Sequence, residues 1–258
     1  MRLKIKETNA FESHLGFFGH ISSENGKIIK RYRGGVSEDA AGRLSLQHAN
    51  FINNLRSIGI ATPVTHIRFV PKHHKLSVEI EQEQFKKEEL AGEIIKNGTW
   101  AEVSHITQGI IRDAILFIQS PFSKEMGFHP TVRNYAVREG KFYMLDTFPP
   151  FSDRITTEKI MRRHAPSLLF KLIMALSPFT LRKFSEEYYN SVEMIYGIYG
   201  TISRLRPEFE AQIRQLFLNI SGANSELQSE IERKIEKEGF SQKLKWHLVQ
   251  FLKSITDT

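Results

Sequence analysis

The chain has 258 residues, 40% of them apolar, no cysteine, and 36 basic against 29 acidic side chains, a formal net charge of +7. That length and apolar content suffice for one large domain or two lobes, and the lack of cysteine excludes disulfides and thiolate metal sites. No apolar run is long enough to span a bilayer: the best, Leu168 to Leu176, is short and interrupted by Lys171. The opening "MRLKIKETNAF" alternates charged and apolar residues without a signal-peptide core, so a cytoplasmic protein without membrane insertion is expected. Excess positive charge favours anionic partners by steering. The basic residues are dispersed, apart from knots at Lys27 to Arg33 and Met161 to His164. Neither knot carries the aromatics or spacing of a nucleic-acid module, so nucleic acid is not the expected partner.

In chain order, "RLKIKE" alternates with period two, as a half-buried strand does. "GFFGHISS" and "KIIKRYR" read as two strands joined at Asn25-Gly26, a pair suited to positive φ. A helix follows, with Leu44, Leu46, Phe51, Ile52, Leu55 and Ile58 at helical spacings, Ser37 or Ser45 as N-cap, and Gly59 and Pro63 as stop signals. "PVTHIRFV" and "KLSVEIEQ" then form a hairpin around "PKHH". From Phe85 the period changes. "KKEELAGEIIKNG" and "WAEVSHITQGIIRDAILFIQ" are helical, the second with a stripe of Val103, Ile106, Ile110, Ile111, Ala114 and Phe117. "HPTVRNYAVREGKFYMLDTFPPF" is a loop and a hairpin turning at Glu139-Gly140, and helical patterns fill the remainder. The alternating charges around Glu232, Lys234, Glu236 and Lys237 read as a solvated helix face. The tyrosines 188, 189, 196 and 199 read as packing. The pair His73-His74 has no carboxylate at ligand spacing.

A strand-rich part over residues 1–84 thus precedes a helical part over 85–258 that contains one hairpin, an α+β organisation. Asn134 stands where that hairpin begins and Asp146 where it ends. The order of elements, with "IIKRY", "IEQEQF", "SIGIATP" and "NYAVREGKFYMLDTF" at its joints, resembles the bilobal protein-kinase-like fold, most closely its aminoglycoside-phosphotransferase and small-molecule-kinase side. The resemblance covers about the first two thirds of the chain. It implies that Lys30 meets the phosphates of ATP, that Asn134 and Asp146 hold Mg2+, and that the stretch with Glu81 and Glu83 meets the adenine. Magnesium prefers hard oxygen ligands and keeps waters and phosphate oxygens, which an amide carbonyl and a carboxylate suit.

The chain also departs from that family. Five residues before the asparagine, where the family has its base aspartate, stands His129; aligning the His-Pro pair instead puts Gly127 there. Histidine serves as a base near neutral pH, and the nearest carboxylate is Glu125. Only Gly16 and Gly19 stand in the stretch of the family's glycine-rich loop, at the wrong spacing to cradle phosphate. Gln47 and His48 occupy the helix turn that should present a glutamate to Lys30, and Glu38 lies earlier.

The expectation is an ATP-dependent phosphotransferase acting on a small-molecule or protein hydroxyl, with catalytic residues His129, Asn134 and Asp146. The alternative is a pseudokinase that binds a protein partner without catalysis. A basic nucleic-acid-interacting protein is a third class, recognised by salt-dependent affinity. Taken singly, Asn134 and Asp146 also fit plain caps on a hairpin, Lys30 a solvated strand lysine, and Arg133 either a phosphate contact or a solvated cation.

Overall fold

Period-two alternation and two tight turns build the N-terminal region. The computed structural model describes residues 19–72, 74–147, 153–155, 158, 185–220 and 222–237. The expected strand "RLKIKE", the stretch with Gly16, His73, the basic knot at Met161 to His164 and the helical pattern over Pro166 to Leu176 lie outside those residues. Strands β1 (Gly19–Glu24), β2 (Lys27–Val36), β3 (Thr65–Lys72) and β4 (Lys75–Glu83) form one antiparallel sheet in the order β1-β2-β4-β3. Asn25 at φ 52° and Gly26 at φ 74° make the β1–β2 turn. Two consecutive positive φ values match the twist of the flanking strands.

The alternation in β4 sets the two sides of the sheet. Val78, Ile80 and Gln82 share one side, where Val78 and Ile80 are buried with Leu44 of helix α1 (Glu38–Ser57) packed against them. Lys30 pairs with Ile80 across β2 and β4 and so shares that side. Glu79, Glu81 and Glu83 point to the other, where Arg31 reaches Glu79 at 2.7 Å, Arg68 reaches Glu81 at 2.9 Å, and Lys27 also pairs with Glu81. Helix α1 opens at Ser37, whose hydroxyl accepts from the Ala40 N–H at 3.4 Å. It closes at Gly59, where φ of +88° turns the chain out of the helix.

The described residues of the C-terminal region are helical around one hairpin. Its helices are α2 (Ala91–Asn97), α3 (Trp100–Gln119), α4 (Ser191–Leu205) and α5 (Glu210–Leu218), with further helical residues over 185–189 and 225–237. Thr99 and Glu102 cap the start of α3 reciprocally, and its whole expected stripe is buried in the main core. The helical pattern leading to Leu205 is interrupted at Asn190, whose side-chain oxygen accepts from the Val192 and Glu193 N–H groups at 3.0 Å each. The charge-alternating tail is only partly a solvated face. Ile231 and Ile235 are buried, and Lys234 ion-pairs with Glu193 on α4. Tyr196 and Tyr199 pack in the core, ring centroids 5.9 Å apart. No helix among the described residues is long and apolar enough to cross a membrane.

Strands β5 (Tyr135–Arg138) and β6 (Lys141–Met144) turn at Glu139 (φ 52°) and Gly140 (φ 74°). This hairpin is wedged between the two regions. Met144 N–H donates to the Ala61 carbonyl at 2.8 Å on the sheet side. Phe142 lies so close to α3 that a Cβ on Gly109 would fall 2.2 Å from its ring. Gly109→Ala is therefore expected to destabilise the protein by about 1–3 kcal/mol through overpacking, although alanine ordinarily stabilises a helix by up to about 1 kcal/mol over glycine. Urea unfolding reads the sign. Phe142→Leu combined with Gly109→Ala should recover part of the loss, and a more stable Gly109→Ala single variant would contradict the close approach.

Candidate functional site

The loop before the hairpin is organised by its own polar groups. Residues Val132–Asn134 make one 3-10 turn, with the Asn134 N–H donating to the Thr131 carbonyl at 2.9 Å. The His129 carbonyl accepts twice, from the Thr131 N–H at 2.9 Å and from the Asn134 side-chain nitrogen at 3.0 Å. With its nitrogen committed, buried Asn134 keeps its amide oxygen as an acceptor. The Asn134 carbonyl receives the Leu145 N–H at 2.7 Å, which closes the loop onto the far end of the hairpin.

Lys30 enters this corner from β2. Its ammonium donates to the Leu145 carbonyl at 3.0 Å and lies 3.5 Å from Asp146 Oδ1. The Lys30 side chain is 16% exposed and that of Asp146 38%, so the cation is the more buried partner and the carboxylate the more open to solvent. Thr147 follows, fully buried, with its hydroxyl 3.2 Å from His48 Nε2 and accepting from the Gln82 side-chain nitrogen at 3.4 Å. Gln82 also donates to the Thr65 hydroxyl at 3.0 Å. Burial, reinforced by the Lys30 ammonium, lowers the His48 pKa to about 4, so the ring is neutral at physiological pH.

Lys30, Asn134 and Asp146 are thus brought together, although they are far apart in sequence. Glu81 and Glu83 are not part of that corner. They lie on the opposite side of β4 from Lys30 because β4 alternates, and they pair with Lys27 and Arg68 and with Arg138 respectively. His129 reaches the site through its carbonyl. Its ring is buried edge-on to Tyr188, centroids 4.4 Å apart, and burial together with nearby Arg133 pushes its pKa well below the usual histidine range. Arg133, Glu125 and Glu38 are exposed.

Sequence reasoning passed over His48 as a partner of Thr147, and over Gln82 and Arg138. Arg138 binds both carboxylate oxygens of Glu89 at 2.7 and 3.1 Å, the Gln84 carbonyl at 3.2 Å and Glu83 at 3.5 Å, and lies 4.2 Å over the Phe85 ring. It pins the connector between the sheet and the helices. A basic residue in a short strand offers no signal of such a role, since solvated arginines look the same in sequence.

Among the described residues, no group of three or more His, Cys, Asp or Glu is placed to hold a metal ion. What the corner offers is one partly exposed carboxylate beside an ammonium, with buried Asn134 joined to it through the Leu145 N–H. That set fits Mg2+ brought in with phosphate oxygens and waters, rather than a cage built wholly from protein. The model of a family of unknown function, DUF6206, matches residues 11–255, so the chain belongs to that family. None of the curated proteins matches it.

The neutral state of His48 has a consequence for acid stability. The unfolded chain takes up a proton near pH ~6.5 whereas the folded site resists it down to about 4. The lowered folded pKa therefore favours the native state fully above ~6.5, and that contribution is lost as pH falls towards 4. Urea unfolding should show a loss of about 2 kcal/mol from this group between pH ~7 and ~5. The same difference should shrink in His48→Gln, and an unchanged pH slope in that variant would show that His48 carries no such penalty.

Proposed function

We propose that this DUF6206 member is an ATP-dependent phosphotransferase of kinase-like architecture, binding Mg2+ and nucleotide at Lys30, Asn134 and Asp146 and acting on a hydroxyl of a small molecule or protein. The observation that carries this reading is the meeting of residues 30, 134 and 146 at Leu145, where the Lys30 ammonium holds the Leu145 carbonyl and lies 3.5 Å from Asp146 Oδ1, and the Asn134 carbonyl receives the Leu145 N–H. The sheet order adds support, since the lysine strand is internal and is followed by a helix packed on the lysine's side of the sheet.

Lys30 balances phosphate charge as a point cation, and Asn134 and Asp146 present oxygens to the metal. Bound magnesium would neutralise charge developing on the transferred group. In the transfer, the acceptor oxygen bonds to the terminal phosphorus, the bridging phosphoanhydride bond breaks, and ADP carries away the electron pair. The acceptor proton leaves late to solvent or a phosphoryl oxygen, because a loose transition state places little demand on a base. The His129 ring, buried and neutral against Tyr188, is not needed as that base.

The same burial of His129 favours a second reading, a pseudokinase that binds nucleotide without transferring phosphate and works through a protein partner. One set of measurements separates the two. At ATP one hundred times its dissociation constant, a native-state ligand adds ~2.7 kcal/mol, so the melting temperature should rise with ATP and magnesium together, and Asp146→Asn should lose the magnesium-dependent part. Slow ATP turnover lost in Asp146→Asn supports the transferase. Stabilisation without turnover supports the binding module, and the absence of any shift at saturating nucleotide would defeat both.

A further inference from the structure

Three elements distant in sequence meet at one hydroxyl. His48 on α1, Gln82 on β4 and Thr147 beyond β6 are all buried, and each would ordinarily be solvated. The Gln82 nitrogen can only donate, so Thr147 Oγ accepts from it. His48 Nε2, at 3.2 Å, is the acceptor this arrangement offers to the hydroxyl's own proton. A neutral imidazole bearing its proton on Nδ1 suits that role.

From this geometry we infer that His48 is a positioning residue: through Thr147 it ties helix α1 to Asp146 and holds that carboxylate beside Lys30 and Asn134. The inference rests on the nucleotide site proposed above and assigns a new role within it. Residue 145 is held on its N–H side by the Asn134 carbonyl and on its carbonyl side by Lys30. Those contacts end one residue before Asp146. The next fixed point is the Thr147 hydroxyl, so Asp146 is suspended between Lys30's grip on Leu145 and the grip of His48 and Gln82 on Thr147. Lys30 adds a direct contact at 3.5 Å, long for a strong ion pair. The helix consequently presents a neutral ring near Lys30 and acts on the carboxylate through a neighbouring hydroxyl.

The test uses the full chain with His48→Leu, which fills the volume without a hydrogen-bonding nitrogen, and Thr147→Val, which keeps the shape without the hydroxyl. Thr147→Ser is the conservative rescue. Two readouts are taken: ATP dissociation constants with and without magnesium, and amide hydrogen exchange across residues 144–147 in the nucleotide-free protein. Loss of one buried hydrogen bond predicts about tenfold weaker ATP binding with magnesium, little change without it, and faster exchange at 145–147. The double variant should be no worse than either single variant, and Thr147→Ser should behave as wild type.

Equal losses with and without magnesium would reduce His48 to a packing residue and overturn the inference. So would unchanged exchange at 145–147 in both folded single variants. Should the wild type bind no nucleotide, the functional reading falls by itself, while exchange that still rises in both variants upholds the tether. Where His48→Leu fails to fold, Thr147→Val against Thr147→Ser decides the same question.

Discussion

Leu145 has both of its main-chain polar groups committed, its N–H to the Asn134 carbonyl at 2.7 Å and its own carbonyl to the Lys30 ammonium at 3.0 Å. These two bonds join the loop before the hairpin, the segment after it and the second strand of the sheet. In a partly buried corner neither group has water as an easy substitute, and an unmet main-chain group costs as much as a lost hydrogen bond. The ammonium is similarly constrained. At 16% exposure, Lys30 needs its carbonyl and carboxylate neighbours to offset lost hydration. The arrangement is thus mutually required, and it anchors the chain one residue before Asp146.

The hairpin that carries this corner is itself set by packing from two directions. Phe142 lies against the bare backbone of Gly109 on α3, while Arg138 reaches back to Glu89, Gln84 and Glu83 across the connector. Arg138 is about one third exposed, so its ion pairs individually contribute little. Its bidentate hold on Glu89 and its stacking on Phe85 add geometric restraint where a point charge would not. The hairpin therefore joins sheet and helical region alongside Phe51, Leu55 and Ile60, which share the main core with the C-terminal helices, and the candidate site lies at the hairpin's open ends.

Much of this framework was legible because local chemistry dictated it. Asn25-Gly26 turns where positive φ was expected and Glu139-Gly140 where a turn was, Ser37 and Gly59 bound α1, and the apolar stripe of α3 faces the core. At Asn190 a side chain competes with the backbone for the Val192 and Glu193 N–H groups and breaks the helical pattern leading to Leu205. The tail read as a solvated face because its charges outnumber Ile231 and Ile235, which nevertheless anchor it. Glu81 and Glu83 stand in the stretch expected to meet the adenine, and β4 alternation turns their side chains to the side of the sheet opposite Lys30.

The sequence by itself determined the α+β class, the order of the described strands and helices, their turns, and the choice of Lys30, Asn134 and Asp146 as residues to watch. Those follow from periodicity, capping and glycine conformations, which act over a few residues. Only the tertiary structure decided that these three side chains share a corner, that the ring of His129 is buried against Tyr188, and that His48 and Gln82 converge on Thr147. A buried histidine and a solvated one are written with the same letter. What separates them is desolvation and the position of partners far along the chain, and both exist only once the sheet, the hairpin and the helices have packed.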